Sequence, residues 1–109
     1  MRDLKWSPAE KIVARKAFEQ ALQMELKEIM AETKKMAEKI EEPSDVWGLE
    51  RWLTQRRLAI DRKYDYRYSV LPLVFATLLK EGRVRENDLH GLGQEKFELI
   101  RHVASPGHE

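Results

Sequence analysis

Cysteine is absent from the 109 residues, which removes disulfide staples, thiolate nucleophiles and thiolate metal ligands together. Glycine and proline are scarce, at five and four, leaving little material for turns and sharp bends. No run of about 18 apolar residues is present to span a bilayer. The opening Met1-Arg2-Asp3-Leu4-Lys5 lacks the apolar stretch of a secretory signal, so a soluble, cytoplasmic protein without membrane contact is expected. Neither sign of charge dominates: the formal net charge is +1, so no long-range field steers the whole molecule toward nucleic acid or an anionic surface. What is plentiful is charge of both signs, at 36%, beside 42% apolar residues, the profile of long amphipathic helices. A chain of this length supports one core. The expectation is a single all-helical domain over residues 1–109, with 1–6 and 105–109 disordered.

Punctuation along the chain supports the all-α reading. Ser7-Pro8-Ala9-Glu10 combines an N-cap hydroxyl, a proline at the first helical position and an acid three residues after the cap. From there to Glu42 no Gly or Pro intervenes, and Phe18, Leu22, Leu26, Ile29, Met36 and Ile40 recur at helical spacing, with Thr33 the polar exception. Such a helix is about 50 Å long at 1.5 Å per residue, whereas a compact domain of this size has a radius of gyration of about 13 Å. Its own chain is too short to cover the stripe. A second copy packed antiparallel along it, as in a coiled coil, is the simplest cover, which predicts a homodimer.

Pro43 is expected to end the first helix, and Ser44 or Asp45 to cap a second running to about Tyr64. Its inner face reads Val46, Leu49, Leu53, Ile60 and Tyr64; its other face carries Trp47, Glu50, Arg51, Thr54, Arg57 and Asp61. After a turn at 65–69 comes the most apolar stretch, Val70 to Gly82, a core helix starting near Ser69 so that Pro72 falls in its first turn. A short helix through Asp88-Leu89-His90, a break at Gly91-Leu92-Gly93, and a final helix with Phe97, Ile100 and Val103 inward complete the chain.

Chemistry is harder to find than structure. His90, His102 and His108 are scattered, with no second histidine at helical spacing, so no metal site is expected. No glycine-framed serine, phosphate loop or triad pattern suggests nucleophilic catalysis. The carboxylates alternate with Lys and Arg, as in Glu28, Glu32 and Lys35, and read as solvated helix faces. A non-enzymatic protein without a cofactor is the expectation.

The local anomaly lies in residues 50–67, where Arg51, Arg56, Arg57, Arg62, Lys63 and Arg67 outnumber Glu50, Asp61 and Asp65. Trp47, Trp52, Tyr64, Tyr66 and Tyr68 interleave with them. Trp, Tyr and Arg dominate protein interface hot spots, and Trp47 with Arg51 or Trp52 with Arg56 stand one turn apart, at cation–π spacing. The same mixture suits phosphate backbones and stacked bases, so a nucleic-acid-binding helical dimer is the alternative to a protein-binding one.

The residues Trp6-Ser7, Val46-Trp47-x-Leu49, Arg57, Ile60-Asp61-x-Lys63-Tyr64-Asp65-x-Arg67-x-Ser69-Val70 and Val74-Phe75-Ala76-x-Leu78-Leu79-x-Glu81-Gly82 resemble the fluorescence recovery protein family over nearly the whole chain. The resemblance implies an all-helical, cofactor-free homodimer that binds the C-terminal domain of photoactivated orange carotenoid protein. It implies that binding speeds the partner's red-to-orange return and ends photoprotective quenching, by favouring one state of the partner and without bond chemistry. The family's functional patch carries a tryptophan, a histidine and an acid one turn on, and an arginine two turns on. The matching positions here hold Trp47, Glu50, Arg51 and Arg57, so an acid has become Arg51. The resemblance also implies that Met30, Ile40 and Val46 lie in or near the dimer seam.

Overall fold

The computed structural model describes residues 4–107. Positions 1–3 and 108–109, including His108 and the outermost parts of the two ends expected to be disordered, lie outside the described residues. The order is α1 (Pro8–Glu38), α2 (Pro43–Lys63), α3 (Leu71–Lys80), a 3₁₀ turn (Glu86–Leu89) and α4 (Gln94–Ala104), with no strand among the described residues. The chain is all-α, with a long first helix followed by shorter ones.

The start of α1 follows its sequence signal. Ser7 Oγ accepts from the Glu10 amide at 3.1 Å and Glu10 Oε1 accepts from the Ser7 amide at 2.9 Å, a reciprocal capping box with Pro8 as the first helical residue. The end of α1 is a correction: the helix stops at Glu38, leaving Ile40 in the connection. The cause lies three residues ahead. Pro43 pushes the residue before it out of the helical region, and Glu42 is extended at φ −128°, ψ 157°. Helical continuity is therefore lost before the proline is reached. Pro43 opens α2 as its first residue, and Glu42 is the N-cap in place of the expected Ser44 or Asp45. Asp45 works from inside the first turn, where its Oδ2 accepts from the Glu41 and Glu42 amides at 3.0 and 3.1 Å. Those two bonds hold its carboxyl below the usual aspartate range.

The core sits at one end of the molecule. Ala14, Ala17, Phe18 and Ala21 of α1 pack with Leu71, Val74, Phe75, Ala76 and Leu78 of α3, Leu89 of the 3₁₀ turn, Leu92, and Ile100 of α4. The three alanines keep this face of α1 low, and the 3₁₀ turn approaches it closely. The chain thus covers the N-terminal half of the α1 stripe itself and leaves the remainder uncovered. Beyond Leu22 the stripe is only half-buried, at Leu26, Ile29, Thr33 and Met36. Thr33 tolerates this position because its hydroxyl donates to the Ile29 carbonyl at 2.6 Å, hiding its polarity in its own helix.

Val70 N-caps α3 and Pro72 occupies its second position, where no amide is needed. Its exit is the left-handed glycine cap expected from the sequence. Gly82 has φ 74°, its amide donates to Leu79 O at 3.1 Å, and the Arg83 amide reaches back to Leu78 O at 2.8 Å, the paired bonds of a Schellman motif. Between the 3₁₀ turn and α4, Gly91 passes so close to α1 that an added Cβ would lie 2.4 Å from Val13 Cγ2. A β-branched neighbour has little rotamer freedom with which to retreat. Gly91→Ala should therefore destabilise the protein by about 1–3 kcal/mol through overpacking, visible as a lowered thermal midpoint.

Candidate partner-binding surface

No residue of α2 is buried, although it is 21 residues long. Of the inner face expected from the sequence, Leu49, Leu53 and Ile60 are half-buried against α1, whereas Val46 is 42% exposed and faces away from the chain's own core. Met30 of α1 is 59% exposed and Ile40 is half-buried. Trp47 is 60% exposed, an indole presented to solvent at the start of the helix. Glu50, Arg51 and Arg57 are exposed too. Trp47 and Arg57 are ten residues apart, which at helical geometry is about 15 Å along the axis and about 80° around it, so the four residues share one broad face. Glu50 Oε2 accepts from the Thr54 hydroxyl at 3.3 Å. Arg51 borders a groove of about 510 Å³ between the end of α1 and the start of α2, with Met36, Lys39, Ser44, Asp45, Gly48 and Leu49.

The expected cation–π pairs of α2 are a further correction. Such pairs form instead at Lys11–Tyr68, Arg15–Tyr66, Lys63–Tyr64, Lys96–Trp6 and Arg101–Phe97. Tyr64 and Tyr66 both pack edge-on against Phe18, with ring centroids at 5.4 and 4.8 Å. Tyr64 and Tyr66, committed to the core, are not open platforms for bases, which weakens the stacking part of the nucleic-acid reading.

What positions α2 is its last turn. Glu25 of α1, itself buried, accepts from the Lys63 ammonium and the Tyr64 hydroxyl, both at 2.8 Å. Arg83, just past the α3 cap, lies 3.2 Å from the same carboxylate and donates to Glu81 at 2.8 Å and to both Glu28 oxygens at 2.9 and 3.2 Å. Lys63 also reaches Glu81 at 2.8 Å. Three helices are thereby tied at one polar knot. Burial, and then the adjoining Glu25, push the Tyr64 hydroxyl well above the ordinary tyrosine range. The guanidinium of Arg83 holds Glu28 below the usual carboxylate range. For Glu81, burial pushes upward, but bonds from Lys63 and Arg83 outweigh it and the carboxyl titrates low.

Sequence reasoning took the carboxylates as solvated and missed this knot. The signal was present: Glu25 falls three residues after Leu22 and four before Ile29, in the middle of the apolar stripe. A carboxyl held low in the native state stabilises it fully above the unfolded value, about 4.3, and that contribution is lost as pH falls through the native pKa. Urea midpoints should therefore be flat from neutral pH to about 5 and fall on further acidification, with a shallower fall in Glu81→Gln.

A second polar anchor fixes the chain ends. Glu10 accepts from the Gly93 amide at 2.6 Å and from the buried Lys96 ammonium at 3.1 Å, while Lys96 also donates to the Lys5 carbonyl and stands 5.0 Å from the Trp6 ring centroid. Burial pushes the Glu10 carboxyl upward, but the Ser7 and Gly93 amides and Lys96 outweigh it and hold it low. Trp6 packs on Tyr68 at 5.4 Å, and Tyr68 on Tyr66 at 5.6 Å.

Among the described residues no group of three or more His, Asp or Glu is placed to hold a metal ion, and no helix is long and apolar enough to cross a membrane. Fold and surface together define a small all-helical protein whose distinctive side chains face outward from a helix that its own core leaves uncovered. The chain belongs to the family of the photoprotection regulator fluorescence recovery protein, which matches residues 6–104. It is 40% identical over 99 residues to the fluorescence recovery protein of Synechocystis sp. (strain ATCC 27184 / PCC 6803 / Kazusa), covering 91% of each chain. The structure of the Synechocystis sp. PCC 6803 protein superposes with a TM-score of 0.86 at 40% identity, covering 92% of this chain and 98% of that one. The Fremyella diplosiphon fluorescence recovery protein gives 0.83 at 42% identity, covering 88% and 94%.

Proposed function

We propose that this protein is a non-enzymatic, cytoplasmic homodimer that regulates photoprotection by binding a soluble partner of the orange-carotenoid-protein C-terminal-domain type. No cofactor takes part. Contact is made through Trp47, Glu50, Arg51 and Arg57. The observation that carries this reading is α2 itself, a long helix with nothing buried and an indole 60% exposed at its start. Exposed tryptophan beside arginine is the composition of an interface hot spot. Binding that favours the relaxed state of a photoactivated partner accelerates its relaxation without covalent chemistry.

Shape supports the dimer. The chain has a radius of gyration of 17.0 Å and extents of 54 × 29 × 21 Å, against about 13 Å for a compact domain of this length. Its half-covered α1–α2 hairpin leaves Met30 and Val46 exposed beside Ile40, and a second copy laid antiparallel buries them. Val46→Glu should split the dimer, because a carboxylate at an apolar seam has no partner. Light scattering should then give half the mass, and an unchanged dimer mass would remove Val46 from the seam.

The functional test is kinetic. Purified protein added to red-state orange carotenoid protein should speed its return to the orange state, and Trp47→Ala and Arg57→Ala should each abolish most of that effect. Equal acceleration by both variants would reject the surface, and no acceleration by the unaltered protein would reject this partner. Arg51 stands where the family carries an acid, so the matching contact on the partner should be acidic or neutral.

A further inference from the structure

At the core end of α1, about 30 Å along the helix from Met36, lies a cleft of about 470 Å³ bordered by Lys11, Ile12, Arg15, Lys16, Tyr66 and Tyr68. We infer that this cleft is a docking site for an acidic protein segment that carries an apolar side chain. It is independent of the α2 surface.

Charge points to the occupant. The whole chain is nearly neutral, at +1, yet this cleft sets three cations against one acid, Glu19. Two of the three cations are also held in place. Arg15 lies 3.7 Å from the centroid of Tyr66 and Lys11 5.1 Å from that of Tyr68. A guanidinium stacked on a ring keeps its edge donors free for a carboxylate, and its pre-ordering lowers the entropy lost on binding. One Arg15 nitrogen is engaged by Glu19 at 3.2 Å in an exposed pair of little strength, which an incoming acid can replace. Ile12 supplies the apolar element. It is 72% exposed among these charges, the most exposed large apolar side chain described, and nothing in the fold of the protomer uses it.

A nucleic acid fits less well. Stacking needs open ring faces, and here Lys11 and Arg15 occupy those of Tyr68 and Tyr66, while Tyr66 also packs on Phe18.

The test is calorimetric titration of the full-length protein with a blocked peptide of sequence Asp-Glu-Leu-Asp-Glu-Leu, its Asn/Gln counterpart, and a 12-nucleotide single strand. The acidic peptide should bind the unaltered protein and Trp47→Ala equally, and the neutral peptide at least tenfold more weakly. Arg15→Gln and Ile12→Asn should each weaken it about tenfold. Because Arg15 also packs on a core ring, Lys16→Glu provides a variant at a solvent-facing position, expected to lose at least tenfold with unchanged circular dichroism and mass. Absence of acidic-peptide binding, equal binding by Lys16→Glu, or tighter binding of the oligonucleotide than of the peptide would each overturn the assignment. Loss of binding in Trp47→Ala would place the peptide on α2 and overturn it as well.

Discussion

Glu25→Ala should cost about 3–5 kcal/mol of stability, because it removes one partner from a buried ionic group and leaves the others in place. Lys63, Tyr64 and Arg83 all point at this one carboxylate. Without it Lys63 and Arg83 keep only Glu81 and Glu28 as partners among the described residues, and a phenol loses its acceptor. Chemical denaturation at fixed protein concentration reads the loss directly, since self-association of the kind proposed makes apparent stability move with concentration. Glu25→Gln separates the parts: the amide oxygen still accepts from Tyr64, so most of the deficit that remains is charge. A change below about 1 kcal/mol in Glu25→Ala would mean that the remaining bonds to Glu81 and Glu28 hold the helices unaided.

The second large effect concerns recognition. Trp47→Ala should weaken partner binding by roughly 30-fold or more, the scale of a hot-spot truncation of about 2 kcal/mol or above. Stability should barely move, because Trp47 is exposed and no part of α2 is buried. That separation is the useful feature of the experiment. A variant with an intact melting curve and lost affinity places the indole at the contact, whereas lost stability with unchanged affinity per folded molecule assigns it to packing. Arg57→Ala should follow the same pattern with a smaller loss, on the scale of one charge-assisted hydrogen bond.

Where the sequence was legible, the signals were local. Ser7, Pro8 and Glu10 are neighbours in the chain, and they close the capping box they spell out. Gly82 needed only its place after an apolar run to be read as a left-handed cap. The end of α1 was misread because the break depends on the backbone of Glu42, a residue with ordinary helical propensity that is displaced by its successor. The inner face of α2 was half legible, since periodicity shows which residues align but not whether anything covers them. Trp47, Glu50, Arg51 and Arg57 do share the outer face of one helix, and Tyr64 lies inward as its periodicity indicates, whereas Lys63, read as part of a basic surface, also turns inward to Glu25. Partners 38 and 39 residues apart leave no periodic trace, and only the misplaced charge in the α1 stripe hinted at them.

The way α2 is held has a consequence for how such a protein can diversify. Its final turn is bound by the knot around Glu25, and its first turn is closed by Asp45 on its own backbone. Between those fixed ends no outward residue is buried, and among the described residues Glu50 bonds only to Thr54 of its own helix. On the proposed contact surface, substitutions there alter what the molecule recognises at little cost to folding, so Glu50 and Arg51 occupy sites where a new specificity can be tried at little structural risk.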